Sequence, residues 1–262
     1  MRTIIKDESI LRSLDAFRPD KAFGPASEHV IRVFYQNILK PGDTAIDVGV
    51  HYGIHLFPMS DAVGETGKVI GIEASPERFE AMQARAGSEG RDNIQILNMA
   101  AGNAERTMTF YLNRTFTGRS GLIENKKHDT DVVDTIDVKM RPLDDVLTDL
   151  TRLHFIKIDV EGAETMVMQG AANLIRRFAP FIIFEGRLNE SAKSCGIAFD
   201  DILATFSNHA FFDLFGQEVD FRTHFGAGWN FLAAPRSEHV LDAAGAALSA
   251  AWKQQIDANQ GA

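Results

Sequence analysis

TAIDVGVHYG, residues 44–53, is a short apolar run that ends in an aspartate and opens onto two glycines four residues apart. Thr44 to Val48 predicts a buried strand, and Gly49-Val50-His51-Tyr52-Gly53 predicts a tight turn where the backbone lies close to whatever it faces. Pro41-Gly42-Asp43 separates this strand from a helical pattern upstream, in which Val30, Ile31, Phe34 and Ile38 fall at helical spacing. Downstream, Tyr52 to Val63 predicts a helix that Gly64 stops. Lys68 to Glu73 predicts a second strand, and Pro76 opens a helix running to about Gly87.

The alternation continues to the end of the chain. Strands are predicted at Ile94–Asn98, Met108–Leu112, Val132–Met140, Phe155–Val160 and Phe181–Glu185, with a helix over 161–178. A helix over 199–206 leads to Phe211–Phe215 and Asn230–Ala234, a closing antiparallel pair, and 237–255 is an Ala-rich helix. Strands alternating with long helices imply parallel pairing with right-handed crossovers. Phe181-Ile182-Ile183-Phe184 is apolar throughout, as in a sheet covered on both faces. The fold class is therefore α/β, a doubly wound and mostly parallel sheet. Residues 1–40 form an N-terminal helical cap, 41–236 the main domain, and 237–262 a C-terminal helix and tail.

In such a sheet, ligands bind at the carboxyl ends of the strands near the switch point. Glu73 ends the second strand 20 residues after Gly53, where a carboxylate can accept both hydroxyls of a ribose. Three ligands compete for this turn. A nicotinamide dinucleotide wants Gly-x-Gly-x-x-Gly, and position 51 is His. A P-loop wants Gly-Lys-Ser/Thr entering a helix; Gly67-Lys68 is followed by Val69 and enters a strand. The third is a nucleoside without a pyrophosphate, and S-adenosylmethionine suits it. Asp47 would orient the amino-acid tail of that molecule, and His51 would touch the tail or the acceptor. Taken alone, Gly49 and Gly53 would only make a strand–helix turn; Asp47, Gly49, Gly53 and Glu73 together favour the nucleoside.

Composition narrows the partners. The 262 residues carry a formal charge of -9 without a long Lys/Arg block, against a nucleic-acid partner. Cys195 is the only cysteine, so neither a disulfide framework nor a cysteine zinc cluster is available. No segment is apolar over the ~18 residues a membrane span requires, and Met1 to Ile10 lacks a signal-peptide core. The expectation is a cytoplasmic protein with a small-molecule acceptor and no membrane partner, with room for a homo-oligomer.

Five stretches go further: PGDTAIDVGVHYG (41–53), VIGIEASPERFE (69–80), NMAAGN (98–103), PLDDVL (142–147) and, most specific, FIKIDVEGAE (155–164). Together, over about 41–186, they resemble the FkbM family of class I methyltransferases. The resemblance implies a Rossmann-like sheet of seven strands, S-adenosylmethionine as cofactor, and methyl transfer, usually to a hydroxyl of a sugar or secondary metabolite. It places Asp47, Gly49 and Gly53 in the cofactor turn, Glu73 with Ala74 at the ribose, Asn98 and Ala100 near the adenine, and Asp159 and Glu161 by the methyl group. Ser120, in Gly118-Arg119-Ser120-Gly121-Leu122, loosely matches a small-residue loop of the family. The family usually has Ala-Asn where this chain has Val50-His51, and Ser-Ser-Leu where it has Ser120-Gly121-Leu122.

An alcohol acceptor must lose its proton, so the transfer wants a base. Asp159, at a strand end, is the first candidate and Glu161, opening the next helix, the second; Glu185, at another strand end, would line the acceptor pocket. Structural roles compete. Asp159 could cap the following helix, Glu161 could favour its positive end, and Glu185 could pair with Arg187 or Lys157. No metal site is expected. His51 and His55, four apart on the predicted helix, lack a third ligand. Magnesium on Asp159, Glu161 and Glu185 would leave little trace in a sequence. Asp129, Asp131, Asp134 and Asp137 lack calcium-loop spacing and read as solvated positions. The functional alternatives are an N-methyltransferase on a peptide or amino sugar, and a nucleotide-binding module without catalysis.

Overall fold

The structure, a computed structural model, describes residues 2–14, 23–124, 128–186, 188–223 and 229–260. Two N-terminal helices, α1 (Glu8–Leu14) and α2 (Phe23–Ile38), precede β1 (Thr44–Val48), α3 (Leu56–Val63), β2 (Lys68–Glu73), α4 (Pro76–Ser88) and β3 (Ile94–Asn98). A three-stranded excursion follows: β4 (Ala100–Ala101), β5 (Arg106–Asn113) and β6 (Val133–Arg141). The chain then runs through α5 (Leu143–Val146), β7 (Phe155–Ile158), α6 (Glu164–Gly170), α7 (Ala172–Phe178) and β8 (Phe181–Glu185). It ends with α8 (Leu188–Cys195), α9 (Phe199–Thr205), β9 (His209–Asp213), β10 (Glu218–Val219), β11 (Asn230–Pro235) and α10 (Glu238–Gln260).

The main sheet has the order β10-β9-β11-β8-β7-β1-β2-β3. The five strands from β8 to β3 pair in parallel, and β11 joins β8 and β9 in antiparallel register. The doubly wound α/β class and the closing antiparallel strands are as the sequence predicts. The sheet has eight strands rather than seven. The additional strand is Glu218–Val219, paired with Phe211 and Phe212; two residues are too few to show a period of two. From β1 the chain winds outward through β2 and β3, then returns to β7 on the other side of β1. The switch point therefore lies between β1 and β7, with Asp47 opposite Lys157 and Val48 opposite Ile158.

Adjacent residues of each parallel strand enter opposite cores. Ala45, Phe155 and Ile183 pack with α2, α3 and α10, whereas Ile46, Ile156 and Ile182 pack with α6, α7 and α9. That accounts for strands with no polar face. The N- and C-terminal helices share one layer: α2 packs on α10, and Trp252 of α10 is fully buried, its Nε1 donating to the Leu214 carbonyl at 2.7 Å. Phe211, Phe212, Phe215 and Phe221, near the C-terminal end of the chain, are core. A third cluster, with Phe110, Leu122, Met140 and Met166, fastens the small sheet to α6 beside the switch point. Among the described residues no helix is long and apolar enough to cross a membrane.

Candidate functional site

Two loops leave the switch point, and each contains a backbone conformation that L-residues rarely adopt. After β1, Gly49 has φ +92° and His51 φ +52°. After β7, Glu161 has φ +55° and Gly162 φ +107°. A Cβ on Gly49 would stand 1.9 Å from the Asp159 carbonyl oxygen. Glycine is thus required because the β1 and β7 loops press together, as well as for φ. Gly53 has φ +74° and faces the Phe57 ring and Met82, away from the cavity. These turns move two predicted helix starts. The helix expected from Tyr52 begins at Leu56, so His51 and His55 do not share a helical face. The helix expected from Glu161 begins at Glu164 behind Ala163, and breaks again at Ala171. Neither Asp159 nor Glu161 is its cap.

Above β1, β2 and β7 opens a cavity of about 250 Å³. Of the predicted cofactor residues, Gly49, His51, Glu73, Ala74, Ala100 and Asp159 line it. Glu73 is 3% exposed; its Oε2 accepts from the His51 N–H and its Oε1 from the Ser75 N–H, both at 2.8 Å. A carboxylate has about four acceptor sites, so capacity remains for a diol. Burial raises the Glu73 pKa, and those backbone bonds oppose the rise. Met99, Ala100, Phe110 and Leu122 supply an apolar flank beside it. Asn98 stands behind the wall, donating to the Glu73 carbonyl at 3.0 Å and the Ala74 carbonyl at 3.3 Å. His51 is neutral: burial, then the Arg78 charge, bring it down to about 4. Its ring contacts Thr117 Oγ1 at 3.2 Å.

The loop carrying Ser120 forms the roof. Ser120 Oγ donates to the Thr117 carbonyl at 2.9 Å and accepts from the Asn113 N–H, and Arg78 reaches the same carbonyl at 2.8 Å. Asp131, expected to be solvated, is 5% exposed and lies 3.5 Å from Arg119, holding this roof from behind.

The floor is a buried charge cluster. Lys157 Nζ donates to Asp159 Oδ2 at 2.7 Å. Burial would lower the lysine pKa, but Asp159, Asp47 and Glu28 raise it above its ordinary value. Asp159 is hydrogen-bonded to Glu185 as well. Burial would raise the Asp159 pKa, yet Lys157 and these bonds hold it low; Glu185 is driven up by burial and by the Asp159 charge. The two carboxyls therefore share one proton at neutral pH, carried by Glu185. Lys157 is the described partner of this pair; Arg187 lies outside the described residues. Asp47 does not reach the cavity surface. It is 1% exposed, neither oxygen has a hydrogen-bond partner among the described residues, and burial pushes it up to about 7.

Sequence reasoning missed Glu28, and weighed His55 only as half of a metal pair with His51. Both line the cavity, and His55 Nε2 stands 2.7 Å from Glu28 Oε2 while Nδ1 faces Tyr35 Oη at 3.3 Å. With both ring nitrogens engaged, His55 positions Glu28. The only signal was an acidic residue in an otherwise apolar-faced helix. Asp159, Glu161 and Glu185 offer carboxylate oxygens within 4.8 Å of one another.

A donor nucleoside fits these residues. Without the His residues, the wall has five carboxyl groups (Glu28, Glu73, Asp159, Glu161 and the protonated Glu185) against Arg78 and Lys157. An acidic crevice repels a pyrophosphate and favours a sulfonium with an ammonium group.

A family model described as a methyltransferase FkbM domain matches residues 47–214. The chain is 32% identical over 73 residues to protein-L-isoaspartate O-methyltransferase 2 of Archaeoglobus fulgidus, covering 28% of this chain and 33% of that protein. It is 31% identical over 70 residues to a protein-L-isoaspartate O-methyltransferase of Methanococcus maripaludis, covering 26% and 33%. The chain thus spans about a third of the length of these curated relatives. Among solved structures it is similar to an FkbM methyltransferase from Methylobacillus flagellatus, with 15% identity, 86% and 58% of the two chains covered, and a TM-score of 0.47.

Proposed function

Because the chain belongs to the FkbM methyltransferase family, whose methyl donor is S-adenosylmethionine, we propose that it methylates a hydroxyl of a small sugar or secondary metabolite. The observation that carries this reading is the Asp159–Glu185 pair, set with Lys157 at the switch point in the wall of an acidic cavity. The protein-L-isoaspartate O-methyltransferases act, by name, on isoaspartate. A carboxylate acceptor would meet like charges from Asp159 and Glu161 here, whereas a neutral hydroxyl would meet acceptors for its proton.

When bound, the donor supplies a methyl carbon already activated by a positive sulfur. Glu73 would hold the ribose diol, Ala74 and Ala100 would flank the base, and the backbone at Gly49–His51 would face the amino-acid tail. Asp47, buried two residues before Gly49, would act on that tail through the turn. Asp159 and Glu185 would hold the acceptor hydroxyl toward that carbon. The hydroxyl proton passes to the carboxylate pair. Asp159, held low by Lys157, is the weaker base and orients the hydroxyl. Glu185 has the higher proton affinity and takes the proton once its own has left. Much of the rate comes from holding oxygen and methyl in line, up to about 7–11 kcal/mol in favourable cases.

Calorimetry with S-adenosylhomocysteine and with NAD tests the reading. We expect the first to bind and the second not. Binding of NAD alone would overturn it.

A further inference from the structure

Glu28 enters the main cavity from α2, in the N-terminal cap and outside the residues that the family model matches. Its Oε2 stands 2.7 Å from His55 Nε2. Burial would raise the Glu28 pKa, but the His55 hydrogen bond and the Lys157 charge bring it below the ordinary glutamate value. Glu28 is therefore ionised and can only accept, so the His55 proton sits on Nε2. Nδ1 then accepts from the Tyr35 hydroxyl at 3.3 Å.

The two residues behind Glu28 are neutral. Burial, then Lys157, lower the His55 pKa, and burial raises that of Tyr35. Tyr35 and His55 are 0% and 4% exposed, so the chain of hydrogen bonds is anchored in the core. It fixes Glu28 in place and leaves its negative charge intact, which an arginine in place of His55 would not. The Glu28 side chain is 41% exposed, with no Lys or Arg paired to it among the described residues.

The other carboxyl groups of the wall are committed differently. Both oxygens of Glu73 hold backbone N–H groups at the ribose end. Asp159 accepts from Lys157, and Glu185 holds a proton. Glu161 packs under the roof, where a Cβ on Gly121 would come within 3.2 Å of its own.

The strand order gives the direction of a bound nucleoside. Met99 and Ala100 follow β3, Glu73 ends β2, and β1 lies between β2 and β7. A base on the Met99–Ala100 flank and a ribose on Glu73 send the 5′ arm across the end of β1 toward β7. The arm has about 10 Å between β2 and β7 to cross. Glu28 stands on that side: Lys157 and Asp159 of the β7 end act on its charge, and His55 holds it where the β1 loop enters α3.

Resting on the donor reading above, we propose that Glu28 receives the ammonium group of the amino-acid tail of S-adenosylmethionine, so that the N-terminal cap completes the donor site. An ammonium has three N–H donors, whereas the sulfonium has none. A fixed carboxylate oxygen therefore selects the tail and leaves the sulfonium free to present its methyl group. His55 is the positioning residue for Glu28.

Calorimetry on the full chain with three ligands tests this. S-adenosylhomocysteine has the whole tail. S-adenosyl-3-thiopropylamine keeps the amine without the carboxylate, and 5′-methylthioadenosine has neither. Glu28→Gln keeps the side-chain shape and an oxygen that can accept from His55. In wild type we expect S-adenosylhomocysteine to bind at least about tenfold more tightly than 5′-methylthioadenosine. In Glu28→Gln both amines should weaken by about tenfold, with 5′-methylthioadenosine changed by less than about twofold. Glu28→Asp, which draws the charge back by one methylene, should show a smaller loss of the same pattern and serves if Glu28→Gln does not fold. Unchanged binding of the amines would overturn the proposal and leave Glu28 to the acceptor. An equal loss for all three ligands would overturn it too, because only a structural role weakens the thioadenosine. Failure of the wild type to bind any of the three instead removes the donor reading and this proposal together.

Discussion

Lys157 and Asp159 stand two residues apart at the end of one buried strand, and the Nζ of the first donates to the Oδ2 of the second at 2.7 Å. Their strand is flanked by β1, which presents Asp47 opposite Lys157, and by β8, which ends in Glu185. One lysine thus fixes which of the neighbouring carboxyls is ionised. It favours the charged form of Asp159, and the Asp159 charge leaves the remaining proton on Glu185.

The pH dependence follows in sign. As the proposed base, Glu185 would act only after losing its proton, and its pKa lies above the ordinary glutamate value. The rate should therefore climb as pH rises through the alkaline range, where an unperturbed glutamate would give a flat profile. Removing the positive charge with Lys157→Met disfavours ionisation of the pair, so the rising limb should move to higher pH by about one to three units. The kcat/KM profile of wild type and variant checks this; a limb that stays in place would exclude the pair as the base.

Glu73 has two roles, because its oxygens hold the His51 and Ser75 N–H groups and also face the cavity. Glu73→Ala should weaken S-adenosylhomocysteine binding by more than about tenfold, or ~1.4 kcal/mol. It should also destabilise the fold, since two buried donors lose their partner. Calorimetry and thermal melts measure the two effects separately. Unchanged affinity would show that the ribose sits elsewhere.

Gly49→Ala adds a methyl group 1.9 Å from the Asp159 carbonyl oxygen, at a φ of +92°. Either the β1 loop or the β7 loop must move. We expect a loss of roughly 1–3 kcal/mol of stability and loss of turnover in whatever protein folds. Gly53→Ala meets the side chains of Phe57 and Met82 rather than backbone, and should be milder in melting temperature than Gly49→Ala.

The parallel sheet was legible because its strands are apolar on both faces and their spacing leaves room for crossovers. FIKIDVEGAE (155–164) marked site residues through its resemblance to the family, and its strand runs straight into them; that it borders the switch point is seen only in the strand order. Three features were not legible. Glu218–Val219 is too short to show a strand period. The turn at Glu161–Gly162 looked like the start of a helix, because Glu is favourable in a first turn and left-handed φ at a glutamate leaves no sequence mark. Glu28 reaches the site from a helix 20 residues before Asp159's neighbours on β1 begin to form the cavity, and only its 2.7 Å contact with His55 reveals it. His51, by contrast, stands where the family has Asn, and both residue types tolerate the left-handed conformation found there.

Glu161 separates strain from function. Its φ of +55° costs a non-glycine residue about 1–2 kcal/mol, and the residue lines the cavity. Glu161→Ala removes the carboxylate and keeps the strained backbone; Glu161→Gly removes both. Each variant loses the same side-chain contacts, so the difference between them isolates the backbone. Glycine should melt higher than alanine by about 2–4 °C, the shift expected for ~1 kcal/mol in a domain of this size. Both should lose kcat/KM to a similar degree if the carboxylate serves the acceptor. If glycine retained full activity while alanine lost it, the backbone turn rather than the carboxylate would be what the site requires.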